Sequence, residues 1–354
     1  MRYLQTGLTC HDPEKATPGF TLFTPLYLPD TYLLDMAGDE VHSWDIGGKV
    51  TNYAKLLDNG NLLAPIRTDR SGPLLQAGGL MREFDWDGSV VWEYEDPSQH
   101  HDFHRLANGN TAYLAWELLP DDVAARVRGG KPGSEHEQGI WSDVIREVDP
   151  SGNLVFEWRV WEHLAVEDYP LHLHSNRHEW AHPNTIFPMD DGNYLVCFRH
   201  IDLLIIVDRS TGGIVWRRHD PGLGGPHDAQ FLPNGHMLIF ANRANQSPRG
   251  SAILEFDHRS GEEFWSYRGN PTHTFDSHFI SGCQRLSTGN TLICEGLWGR
   301  IFEVTPAGGL VWEYISPHTF HRDNGPSAGE VNFVFRAYRY AADGPEIQGR
   351  LGSP

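Results

Sequence analysis

Four of the chain's 20 histidines stand at comparable places ahead of a glycine turn. His101 in "HHDFHRLANGN" and His227 in "HDAQFLPNG" each lie eight residues before a hairpin glycine, Gly109 and Gly235. His182 lies ten before Gly192, which allows a two-residue extension, and His278 lies eleven before Gly289. A lone histidine at a strand start is commonly a hydrogen-bonding tie. Several rings gathered in one small volume bind a metal, bind an anion, or carry out proton or group transfer. Arg199 ends the strand "NYLVCFR", in register to return beside His182, and its planar fork suits an oxyanion, with a structural ion pair as the alternative.

Three further groups bear on this set. Asn184, two residues past His182 and so on the same strand face, is expected to add a neutral donor. Asp228 is read as the partner that orients or charges His227 or caps its loop, with a plain turn role equally open. The segment "LHLHSNRHEWAHPN" brings His172, His174 and His178 close to His182, either as a lid over a substrate or as a solvated loop. His100 and His104 flank His101, and strand alternation is expected to send them to the opposite face, outside the site.

Gathering these residues requires equivalent strand starts around one axis, which the chain's repeats supply. A phrase of Asp or Thr, a short turn with Gly, then a large side chain recurs at Gly38, Gly88, Gly152, Gly212, Gly261 and Gly308, at steps of 50, 64, 60, 49 and 47 residues. Between these phrases lie second hairpin turns: "LDNGNLL", "LANGNTAYL", "MDDGNYLV", "LPNGHMLI" and "LSTGNTLI". Two hairpins make four antiparallel strands, the content of a propeller blade, and the period matches. The expected fold is all-β: one six-bladed β-propeller over residues 1–354. The N-terminal "GFTLFTPLYLPDTYLLDMAGDEVHSW" lacks an inner strand and the C-terminal "VNFVFRAYRY" lacks partners. Pairing them is expected to close the ring and remove the open edge. Residues 1–17 read as an extension, 118–140 and 159–181 as loops inserted over one face, and 341–354 as a tail.

Composition narrows the partners. With 28 basic and 47 acidic residues the net charge is −19, which repels nucleic acid and anionic membrane surfaces. No run approaches the roughly 18 to 20 apolar residues of a membrane helix. The start carries no basic flank followed by an apolar stretch, and the four cysteines have no metal-binding spacing, so a cytoplasmic location with buried thiols is expected. Cys283 and Cys294 are placed to face each other across a hairpin. The expected partner is a small anionic or phenolic molecule, with the oligomeric state left open.

Several stretches together resemble the arylsulfotransferase family: "TYLLDMAGDEVHSW", "LLDNGNLL", "HHDFHRLANGN", "HPNTIFPMDDGNYLVCFR", "DRSTGGIVWR" and "GPHDAQFLPNGHMLIFAN". The resemblance runs from about residue 18 to 316. It implies a propeller that moves a sulfuryl group between phenols without a nucleotide sulfate donor, and without a cofactor. By that resemblance His227 is the histidine transiently sulfated, His101, His182 and Arg199 hold the sulfuryl oxygens, and Asn184 is a further donor. His278, His178 and Asp228 are added as substrate contacts. The family's longer members carry an extra N-terminal β domain, so this chain reads as a short form. Two other functions fit the residues. One is a lyase, hydrolase or isomerase whose divalent metal is held by His101, His182, His227 and His278, with His178 as an addition. The other is a non-catalytic interaction propeller.

Overall fold

The computed structural model describes residues 2–72, 74, 77–323 and 328–354, with the His174 side chain outside the described set. Six blade sheets stand around one axis, four of four strands and two of five. Blade 1 pairs the C-terminal strand Val334–Tyr340 with Phe20–Pro25, then Asp30–Leu34 and Glu40–Asp45, so the two chain ends close the ring. Blade 2 runs through Leu62–Arg67, Gly79–Phe84 and Val90–Glu95, with the short Lys49–Val50 and Lys55–Leu56 inside. Blade 3 is Gln99–Arg105, Thr111–Leu118, Trp141–Val148 and Leu154–Arg159. Blade 4 is Pro183–Pro188, Tyr194–Phe198, Leu203–Val207 and Ile214–His219. Blade 5 is His227–Phe231, Met237–Ala241, Ala252–Phe256 and Glu263–Arg268. Blade 6 is Gly282–Arg285, Thr291–Glu295, Arg300–Val304 and Leu310–Ile315.

Burial follows the sequence pattern of each strand. Middle strands such as Leu203–Val207 are apolar throughout and buried on both faces, because each blade is packed between two neighbours. Outer strands such as Ile214–His219 alternate between half-buried and exposed, since one face meets solvent. Gly109 and Gly235 hold φ of 86° and 83°, the left-handed turn conformation that a side chain disfavours.

The repeated aromatic has a specific task. In every blade a tryptophan on the outer strand donates its indole N–H to the outer turn of the next blade. Trp44 reaches Asp85 O (3.1 Å), Trp92 reaches Pro150 O (3.1 Å) and Trp158 reaches Gly212 O (2.9 Å). Trp216 reaches His258 O (3.0 Å), Trp265 reaches Pro306 O (2.8 Å), and Trp312 returns to Met36 O of blade 1 (3.0 Å). Each indole buries apolar area and satisfies its own donor, and the six contacts hold the rim as a closed series.

A second ring of contacts ties the inner strands to one residue. Arg336, on the closing strand and 2% exposed, donates to Asp102 Oδ1 of blade 3 (3.1 Å) and to Asn184 O (2.9 Å) and Thr185 Oγ1 (2.8 Å) of blade 4. Its Nε lies 3.3 Å from Asp228 Oδ1 of blade 5. Asp102 in turn accepts from Ile186 N of blade 4 (2.8 Å) and from the Tyr53 hydroxyl, and Asp228 accepts from Cys283 N of blade 6 (2.8 Å). A buried guanidinium is tolerable here because two buried carboxylates share its charge.

Four additions depart from the plain ring. Residues 7–11 of the expected N-terminal extension form a fifth strand outside Leu310–Ile315, so the extension covers an outer edge. The inserts at 118–140 and 159–181 pair with each other through the parallel strands Gly129–Lys131 and Leu171–Asn176. A further hairpin, Phe320–Arg322 with Gly329–Val331, was not expected from the sequence. In the tail, Ile347 is buried and packs against the core of blades 1 and 2. Cys283 pairs with Ile293 and Cys294 with Gly282, one position out of register, so the two thiols point to opposite faces and into different core clusters. No helix among the described residues is long and apolar enough to cross a membrane.

Candidate active site

The inner strands are irregular where the site histidines stand. His101 has φ of 47°, Ala181 and His182 have 74° and 54°, and Asp228 has 54°. Pairing skips residues between His100 and Phe103, Pro183 and Thr185, and His227 and Gln230. Left-handed conformations cost of order 1 kcal/mol or more for residues with a Cβ and persist where surrounding contacts enforce them. They also break the two-residue alternation of a strand. In each His-Asp pair, the histidine turns up into a cavity and the aspartate turns down toward Arg336.

That cavity holds about 840 Å³ and is lined by His101, His182, His227, His278, His178 and Arg199, together with His172 and His200. Six of the eight residues expected at the site therefore meet there. Asn184 and Asp228 do not line it. Asn184 falls in the skipped position, where its amide donates to Pro226 O (2.8 Å) and its oxygen accepts from Thr185. Asp228 is engaged beneath the floor by Cys283 N and Arg336, so the expectation that it orients or charges His227 is corrected.

The residue that holds His227 is Asn242. Its Oδ1 lies 2.8 Å from His227 Nδ1, with Gly225 O at 3.0 Å from the same nitrogen. Asn242 Nδ2 donates to Ser277 O (2.7 Å) and Ile280 O (2.9 Å), which fixes which end of the amide faces the ring. Two acceptors therefore claim Nδ1, the proton sits there, and Nε2 carries the lone pair. Burial first, then the charge of Arg199, push His227 down to about 3, so the ring is neutral.

His182 Nδ1 bonds the Glu179 carboxylate, and the His182 ring stacks on His200 with centroids 4.4 Å apart. Arg199 donates its backbone N–H to His182 O (2.9 Å) and its guanidinium to His200 Nε2 (2.8 Å). Burial, then Arg199, hold His182 well below the usual imidazole range. Burial alone would raise Glu179, but the hydrogen bond from His178 and the adjacent His200 outweigh it and hold the carboxyl at about 2. His101 stands edge-on to His182 at 4.5 Å and is held neutral by burial and then by His182. Its Nδ1 lies 2.8 Å from His100 Nδ1, although strand alternation placed His100 on the far face. His278 is pushed down to about 4 by burial and then by Arg249. His172 of the insert sits 3.6 Å from Asp202.

The cavity has two kinds of wall. One part of the lining is the imidazoles with Arg199, and the other is Tyr27, Phe279, Phe320, Phe333 and Phe335, with Phe335 6.0 Å from His101 and 6.1 Å from His227. Tyr27 meets Phe320 edge-on at 5.0 Å, and Phe279 meets Phe333 at 5.5 Å. A flat apolar body fits the aromatic rings and a small oxyanion the basic groups.

The four-histidine metal set is not what the geometry gathers. Among the described residues, the group whose ligand atoms fall within 4.8 Å of one another is Glu179, His182 and His200. In it Glu179 already holds His182, and the Arg199 guanidinium is bonded to His200 Nε2, where it would repel a cation. These residues fit an anion better than a metal ion.

Sequence reasoning missed Asn242, Glu179, His200, His100 and Arg336. One signal was present for Asn242. Arg199 lies seven residues past its hairpin glycine Gly192, and Asn242 lies seven past Gly235.

A family model described as Arylsulfotransferase (ASST) matches residues 55–317. A solved structure of a protein of unknown function from Bacteroides caccae is similar over 92% of this chain and 100% of that one, at 14% identity and a TM-score of 0.58, which shows a shared fold alone. A streptogramin B lyase structure aligns over 96% of each chain at 10% identity and a TM-score of 0.49. No curated protein matches the sequence.

Proposed function

The chain belongs to the arylsulfotransferase family, and on that premise we propose that it moves a sulfuryl group from an aryl sulfate to a phenol through a sulfated His227. The observation that carries the reading is the pair of acceptors, Asn242 Oδ1 and Gly225 O, on Nδ1 of the cavity-lining His227, which leaves the lone pair on Nε2. A neutral imidazole with a fixed lone pair is a competent nucleophile toward sulfur. In the first displacement the Nε2–S bond forms and the S–O bond to the aryl group breaks, its electron pair leaving with the phenol oxygen. In the second, the acceptor phenol oxygen attacks sulfur and the N–S electron pair returns to Nε2. The sulfated ring is cationic, and the two acceptors on Nδ1 stabilise it.

Arg199 supplies the fixed positive charge for the sulfuryl oxygens, and its partly buried guanidinium is shielded from bulk water. Burial keeps His101 and His182 neutral, and an arriving anion raises their affinity for protons. The aromatic wall receives the ring of donor and then of acceptor, which suits a two-step exchange at one site.

With an aryl sulfate and no acceptor, the reading expects a burst of about one phenol per chain followed by a slow steady state. His227→Ala is expected to abolish the burst. Metal content of protein purified without a nickel column is the companion measurement. A stoichiometric transition metal together with no burst would replace this reading by the metal-dependent one.

A further inference from the structure

Two buried groups behind the cavity have no task in the reaction as described. Asp143, on the third strand of blade 3, is fully buried, and neither carboxyl oxygen meets a side-chain donor in hydrogen-bond geometry. His100 is equally buried, stacked on Trp116 with centroids 4.4 Å apart, and its Nε2 is also without a hydrogen-bond partner. These atoms face each other: His100 Nε2 lies 3.3 Å from Asp143 Oδ1. A hydrogen bond between them would satisfy both atoms. On its far side His100 Nδ1 meets His101 Nδ1 at 2.8 Å, and His101 lines the cavity. These contacts run from Asp143 in the interior through His100 to His101 at the cavity.

We propose that Asp143, His100 and His101 form a proton relay that protonates the departing phenol oxygen and later takes the proton of the acceptor phenol. The inference rests on the sulfuryl-transfer reading for its substrate and on this line of contacts for its direction. Burial, then the charge of Glu179, push Asp143 well above the carboxylate range, against a His182 amide that pulls it down, so its resting form is the neutral acid. A buried acid hydrogen needs an acceptor, and His100 Nε2 is the one in reach. His100 then holds its proton on Nδ1 and donates to His101 Nδ1, which leaves the His101 proton on Nε2, facing the cavity.

The protons balance. When the S–O bond breaks, the phenol oxygen takes the Nε2 proton of His101. His101 Nδ1 takes the proton from His100 Nδ1, and His100 Nε2 takes one from Asp143, which becomes a carboxylate. The substrate's single negative charge is thereby carried by Asp143 while His227 holds the neutral sulfuryl adduct. In the second displacement every proton moves back. His182 cannot substitute, because its Nδ1 proton is committed to Glu179 and its Nε2 presents a lone pair when the ring is neutral.

The test compares donors of different leaving ability. Asp143→Asn keeps a hydrogen-bond donor toward His100 but cannot release a proton. With phenyl sulfate, whose leaving group needs protonation, the variant's burst rate is expected to fall about 100-fold. With 4-nitrophenyl sulfate, whose phenol leaves readily as an anion, it is expected to change much less. Equal losses for both donors, or no loss for either, overturn the relay. His100→Gln is the second variant, with the same differential expected if Asp143→Asn fails to fold. Nitrogen-15 NMR of the wild-type histidines gives a readout free of turnover: His101 is expected as the Nε2–H tautomer at neutral pH. A proton on His101 Nδ1 overturns the relay even if sulfuryl transfer stands. An absent burst with every donor overturns the transfer reading and leaves the NMR result to decide the relay.

Discussion

Asn242 Oδ1 accepts from His227 Nδ1 at 2.8 Å, and the rest of the Asn242 amide is committed to two backbone carbonyls, Ser277 O and Ile280 O. The ring's proton is therefore set by blade 5 and by the loop that follows it. Asn242→Ala removes the main acceptor and lets the proton redistribute between the two ring nitrogens. The rate of the burst is expected to fall about 10- to 100-fold, with a stability loss of about 1–3 kcal/mol from the carbonyls left unpaired. Stopped-flow phenol release beside urea unfolding separates the two effects. An unchanged burst rate would remove Asn242 from the account.

Arg336 joins the inner strands of blades 3, 4 and 5 to the closing strand of blade 1. Arg336→Met leaves Asp102 and Asp228 buried without their shared cation, so a loss of about 3–5 kcal/mol is expected. Chemical denaturation measures it. A loss below about 1 kcal/mol, the range of surface pairs, would mean that the ring does not depend on this hub.

Acidity acts on the same neutral rings. Burial, the leading cause in each, holds His227 at about 3 and His100 and His278 at about 4, with His101 well below the usual range. Unfolded histidines titrate near about 6.5, so between these limits the unfolded chain binds protons that the folded chain does not. Stability is therefore full above about pH 6.5 and declines as pH falls toward about 4, by up to about 1.4 kcal/mol per pH unit for each ring. Urea midpoints compared at about pH 7.5 and about pH 5 test this. A flat or rising midpoint toward acid would show that the rings are charged in the fold.

Much of this molecule was legible in the chain. The glycine turns named six blades, and each phrase carries the indole that latches one blade to the next, four residues past the glycine in four phrases and six past it at Trp44 and Trp158. Counting back from turn glycines placed His101, His182, His227 and His278 around one cavity. What failed was parity. Asn184 was assigned by strand alternation, and His100 was dismissed by it, but left-handed residues at His101 and His182 interrupt the two-residue period at those places. Arg336 was hidden for another reason. It sits on a strand from the far end of the chain, and its partners are 108 to 234 residues away in sequence, distances at which no local pattern operates.

The central claim is a covalent bond between sulfur and His227 Nε2. The direct measurement is mass spectrometry of the enzyme quenched under alkaline conditions after mixing with 4-nitrophenyl sulfate and no acceptor. The account predicts an acid-labile sulfuryl adduct on the peptide that contains His227, absent in His227→Ala and discharged by added phenol. An enzyme that turns over aryl sulfate with no adduct, or with the adduct on His101 or His182, would contradict it.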